Sequence, residues 1–146
     1  MRYWDASALV PALLREPATP RIAPLMKADR AVVVWWATAV ECASAVSRRQ
    51  REGLVGASGA EMLLRSVREA AAHWQVVAPS AAIRDAAIRL VRVHPLGAAD
   101  ALQLAAALAW AEDRPEGREF VVLDRGLADA AAREGFVVLP EDTQAA

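Results

Sequence analysis

Short β-branched runs alternate with longer alanine-rich stretches along the whole chain, and this alternation restricts the fold more than any other feature. Arg2 to Trp4 reads as a first short strand, followed by a helix from about Ser7 to Arg15. Pro17 and Pro20 break the chain before a second short helix that ends near Ala28. Ala31 to Trp36 is β-branched and aromatic, which predicts a buried strand. Thr38 opens a helix that stops near Gly53, and Ser58 with Glu61 has capping-box spacing at the start of another that runs to about His73. Trp74 to Ala78 reads as a third strand. Ser80 caps a helix to about Val93, and a long apolar helix spans about Ala98 to Glu112. Glu119 to Leu123 is a fourth strand, Gly126 to Glu134 a helix stopped by Gly135, and Phe136 to Leu139 a fifth strand. Strands joined by helical crossovers imply a three-layer α/β/α sandwich with a central parallel sheet of about five strands. No repeat or linker divides the chain, so residues 1–146 are expected to form a single domain.

Composition narrows the function classes. The net charge of −1 advertises no nucleic-acid surface over the molecule as a whole, so any RNA binding must rest on local patches or bound cations. A hydrophobic fraction of 55% is rich for so small a domain and points to apolar surface reserved for a partner, with a homodimer expected. No run approaches the ~18 charge-free apolar residues that span a bilayer, and Met1 to Asp5 lacks the apolar core of a signal peptide. The single Cys42 excludes an internal disulfide and fits a reducing compartment, so a cytoplasmic location without membrane contact is expected.

Four acids occupy equivalent places in this pattern. Asp5 and Asp124 immediately follow the first and fourth strands, while Glu41 and Asp100 lie in the first turns of helices. In a doubly wound sheet such positions project toward the edge where the strand order reverses, between strands one and four. Each acid alone has a structural explanation. Asp5 and Asp124 fit helix N-caps, Glu41 has capping-box spacing from Thr38, and Asp100 suits a helix dipole. Their surroundings argue for more. Glu41 sits among Ala37, Val40, Ala45 and Val46, and Asp100 opens a helix apolar on every side. Ionised carboxylates in such places need a partner. An oxygen-only donor set without a Cys/His pair selects a hard cation, Mg²⁺ or Mn²⁺. Such a site suits phosphodiester hydrolysis without a covalent nucleophile.

At this point the chain resembles the PIN-domain family. Asp5-Ala-Ser7 is similar to its opening motif, and Val40-Glu41-Cys-Ala-Ser-Ala to its second. Leu96-Gly-Ala-Ala-Asp100-Ala-Leu-Gln103 and its continuation are similar to the third, and Phe120-Val-Val-Leu-Asp124-Arg-Gly to the last. The third motif and the length are most similar to VapC toxins of toxin–antitoxin pairs. The resemblance implies a Mg²⁺- or Mn²⁺-dependent endoribonuclease with Asp5, Glu41, Asp100 and Asp124 as catalytic metal ligands. It also implies a homodimer silenced by a small antitoxin. Two positions depart from the pattern: Gln103 stands where His is common, and Val122 where Thr is frequent.

Supporting roles follow from place. Ser7 either holds a water at the site or satisfies backbone donors near the helix start, and Arg125, beside Asp124, is the better candidate for phosphate contact. Arg48, Arg49 and Arg51 fit either phosphate binding or a helix C-terminus. His73, His94, Cys42 and the five tryptophans read as structural or partner-facing. The helix pair after the second strand is expected to leave a groove beside Glu41 for an amphipathic antitoxin helix. Receiver and haloacid-dehalogenase-like folds would need a Lys at the site, and the one Lys is Lys27. The remaining alternative is a non-catalytic PIN-like module that binds RNA or protein.

Overall fold

The computed structural model describes residues 1–143. Strand β1 (Arg2–Trp4) is followed by α1 (Ala6–Leu13), α2 (Thr19–Ala28), β2 (Val32–Trp35), α3 (Thr38–Arg51) and α4 (Ala57–Ala71). Then come β3 (Gln75–Val77), α5 (Ala81–Val93), α6 (Ala98–Trp110), β4 (Glu119–Val121), α7 (Arg125–Glu134), β5 (Val137–Leu139) and a 3₁₀ turn at Glu141–Thr143. The sheet order is β3-β2-β1-β4-β5, with all neighbours parallel. The chain therefore lays strands outward from β1, then returns past it to place β4 on its free side. The loops after β1 and β4 are neighbours at this reversal.

Side-chain alternation explains the three layers. Tyr3 and Trp4 are consecutive, both wholly buried, and face opposite sides of the sheet. Tyr3 joins Val33, Phe120 and Val138 in a core closed by α5, α6 and α7. Trp4 joins Val34 and Val121 in a core closed by α1, α2, α3 and α4. The Tyr3 ring meets Phe120 edge-on at 4.9 Å, and Phe120 meets Phe136 in the same manner at 5.6 Å. Burial of each such large side chain contributes about 1.5–3 kcal/mol, which is how strands of three or four residues hold together.

The helix entries hold the main departures from sequence expectation. Ser80 caps α5 as expected, accepting from the Ile83 N–H at 3.1 Å. Neither capping box forms. Helix α3 begins after Ala37 and α4 after Gly56, both without a side-chain cap, so Thr38 and Ser58 lie inside their helices. Trp36 and Leu123 fall outside their strands, where the loops of the functional edge take over from sheet pairing. Trp36 is 61% exposed although Trp35 beside it is buried. Among the described residues no helix is long and apolar enough to cross a membrane.

Two glycines give opposite expectations for stability. Gly135 ends α7 at φ +111°, and a Cβ there would lie 3.1 Å from Pro115 Cγ. Gly59 lies inside α4, where a Cβ would make only an ordinary 3.7 Å contact with Val55. Gly135→Ala should destabilise the protein by about 1–2 kcal/mol, and Gly59→Ala should stabilise it by about 0.5–1 kcal/mol. Urea unfolding midpoints check both, and equal shifts of the same sign would contradict the assigned backbone.

Candidate active site

The reversal between β1 and β4 is built by two short loops that bond to each other. The Asp5 N–H donates to the Val121 carbonyl at 3.0 Å, continuing the β1–β4 pairing to the start of α1. Asp5 caps α1, its Oδ2 accepting from the Ser7 N–H at 2.9 Å. The Ser7 hydroxyl reaches the opposite loop, where its oxygen accepts from the Leu123 and Asp124 N–H groups at 2.9 and 3.2 Å. Ser7 thus satisfies backbone donors, as one reading of the sequence had it. These donors lie across the reversal, however, and not at its own helix start. Asp124 in turn caps α7, with Oδ1 accepting from the Leu127 N–H at 2.8 Å.

Glu41 and Asp100 complete the group from α3 and α6, each in a first helical turn. Under Glu41 lies a buried polar chain. Gln103 is fully enclosed, and its Nε2 donates to Glu41 Oε1 at 3.0 Å and to the Thr38 hydroxyl at 3.2 Å. The Tyr3 hydroxyl shares its proton between the Gln103 carbonyl at 3.0 Å and the side-chain Oε1 at 3.1 Å. Tyr3 and Thr38 are absent from the sequence-derived site. A signal for Tyr3 existed, since strand periodicity places residues 3 and 5 on one face. Thr38 gave none, because its capping-box spacing pointed to a different use.

The electrostatics tie the four acids together. Asp5, 4% exposed, has its carboxyl raised by burial, with Asp124 adding to the shift and the Ser7 and Ala6 donors opposing it. Glu41 is pushed up to about 7 by burial and then by Asp5, with Asp100 contributing and Gln103 opposing. Asp100 is raised by burial, then by Asp124 and Asp5. Asp5 is the hub of this repulsion. Among the described residues none of the four is in an ion pair, since the acids that pair with cations are others, from Glu16 to Asp142. Arg125 opens α7 beside Asp124 and is exposed.

A donor set of uncompensated carboxylates fits a hard divalent cation in its chemistry. It is not a finished coordination sphere. Among the described residues no three Asp, Glu, His or Cys side chains are drawn together closely enough to hold an ion as they stand. Each of three acids also has a prior hydrogen bond, with Asp5 and Asp124 capping helices and Glu41 accepting from Gln103.

A groove of about 800 Å³ leads to Glu41, lined by Ser7, Val10, Arg15, Ala45, Arg48 and Leu54 among others. The sequence placed such a groove beside Glu41, where it lies, but credited it to the pair α3 and α4. Those helices instead pack on each other, and the groove runs between α1 and α3. Arg49 closes its far side by pairing with Glu16 at 2.7 Å, which gives it a structural role. His94 is likewise structural, bonded to Glu134 at 2.7 Å, and Cys42 is buried.

A family model described as PIN domain matches residues 2–132. Among solved structures, the chain is similar to a toxin–antitoxin complex from Klebsiella pneumoniae at 14% identity. That match has a TM-score of 0.64 and covers 85% of this chain and 87% of the other. At that identity the likeness is one of fold. No curated protein matches.

The raised carboxyls fix the sign of a stability dependence. Between the ordinary carboxyl value of 4.5 and about 7, the folded protein holds a proton on Glu41 that the unfolded chain releases. Metal-free stability therefore falls as pH rises through that window. Melting temperatures measured in EDTA should drop from pH 5 to pH 7.5, and Glu41→Gln should drop less. Identical slopes for the two proteins would show that Glu41 is not destabilised by its neighbours.

Proposed function

The chain belongs to the PIN-domain family, and on that premise we propose that it is a divalent-metal-dependent endoribonuclease and the toxin of a toxin–antitoxin pair. The observation that carries this reading is the set Asp5, Glu41 and Asp100, partly or wholly desolvated, with Asp124 exposed beside them and all four unpaired with any cation among the described residues. These residues would hold Mg²⁺ or Mn²⁺. When bound, such an ion supplies Lewis acidity toward a phosphodiester and lowers the pKa of an attacking water.

The protein's own groups prepare that chemistry. Asp5 and Asp124 present carboxylates whose backbones are fixed to each other through Ser7. Glu41, pushed up to about 7, holds a proton that a cation must displace, so metal uptake strengthens as pH rises through that value. Arg125, exposed beside Asp124, is placed to meet a substrate phosphate.

The groove between α1 and α3 suits an inhibitory partner. Its lining offers Val10, Ala45 and Leu54 to the apolar face of a helical segment, with Glu41 among the same residues. A basic side chain on that segment would compete with metal for the acids. The name of the Klebsiella pneumoniae complex supports an antitoxin as the partner. Exposed Val40, Leu54 and Met62 support a homodimer. The open spacing of the acids favours a second reading, a PIN-like module that binds RNA or protein without cleaving.

One assay separates the two. Purified protein should cleave RNA with Mg²⁺ or Mn²⁺, lose activity in EDTA and regain it with added Mn²⁺. Asp5→Asn and Asp100→Asn should each lower the rate about a hundredfold or more, several kcal/mol of stabilisation being at stake. Asp129→Asn, exposed on α7, should cleave normally. Cleavage that survives chelator would end the metal reading, and no cleavage with any divalent ion would favour the binding module.

A further inference from the structure

Helix α6 carries two polar residues one turn apart, Asp100 and Gln103, on an otherwise apolar surface. Asp100 enters the acidic group directly. We propose that Gln103 is the positioning residue through which the same helix aims Glu41, with Tyr3 and Thr38 fixing which way its amide points. The inference rests on the metal-dependent reading above.

The hydrogen bonds allow the amide one orientation. Both Nε2 hydrogens are used, on Glu41 Oε1 and on the Thr38 hydroxyl, and Oε1 faces the Tyr3 hydroxyl. A flipped amide would set its oxygen against the Glu41 carboxylate, acceptor to acceptor, and its NH₂ against Tyr3. The Tyr3 hydroxyl is wholly buried and donates to Gln103 Oε1 at 3.1 Å, which fixes that end of the amide as the oxygen. Gln103 is 0% exposed, so no water replaces a lost contact easily. Its amide brings a fixed donor to Glu41 without adding a charge. A cationic residue there would pair with Glu41 and compete with the metal.

A core residue that merely fills space would affect stability alone. A positioning residue also affects what Glu41 binds. Gln103→Met keeps the volume and removes the donor, and Tyr3→Phe removes only the hydroxyl that orients it. Calorimetric titration with Mn²⁺ should show affinity weakened about tenfold or more in Gln103→Met, the usual scale for outer-shell partners of metal ligands. Tyr3→Phe should shift it in the same direction by a smaller factor, and Gln103→His should recover part of the loss. RNA-cleavage kcat should fall with metal affinity, while KM for RNA stays put. Should Gln103→Met fail to fold, Tyr3→Phe decides the question. Variants that melt lower in EDTA yet bind Mn²⁺ as the wild type does would overturn the positioning role alone. A wild-type protein that takes up no Mn²⁺ would overturn it together with the proposed function.

Discussion

Four helix N-termini open onto the edge where β1 and β4 part, and each sets a carboxylate there. Asp5 and Asp124 cap α1 and α7, and Glu41 and Asp100 stand in the first turns of α3 and α6. Each such placement stabilises an anion by about 0.3–1 kcal/mol, against the burial and, after it, the mutual repulsion that raise Asp5, Glu41 and Asp100. The doubly wound topology produces the meeting. Returning past β1 to lay down β4 brings the loops after both strands side by side, and the Ser7 hydroxyl bridges them. Every other feature of the site elaborates that junction.

The acids are held apart as firmly as they are gathered. Asp5, Asp124 and Glu41 each spend an oxygen on a protein donor, and none of those donors carries a full charge. Neutral donors orient a carboxylate without cancelling it. The result is a set of carboxylates oriented by the protein and still uncompensated in charge. A cation would draw the set together by displacing repulsion, not by breaking ion pairs.

The alternation of β-branched and alanine-rich segments made the three-layer sheet legible from the sequence, because it reflects burial on both faces of short strands. The acids were legible for a related reason: Glu41 among alanines and valines, and Asp100 at the head of an apolar helix, are charges where the pattern calls for none. What escaped is tertiary. Gln103 meets Glu41 across 62 positions and Tyr3 across 100, and no local periodicity encodes such pairs. Thr38 misled because its spacing from Glu41 satisfies a local motif, while the fold turns its hydroxyl inward to Gln103. The groove beside Glu41 was legible, but its second wall was not, because sequence shows that α3 and α4 are amphipathic and not that they cover each other.

Helix α6 buries Ala101, Ala105, Ala106 and Ala107 almost completely. Alanine at these places is a spacer. It sets how close the helix lies to the sheet on one side and to α5 and α7 on the others, and those distances set where Asp100 and Gln103 arrive. The site is therefore dimensioned by side chains that have no chemistry of their own. A single added methyl in that layer would lift the helix, and both polar residues with it, before it disturbed any charge.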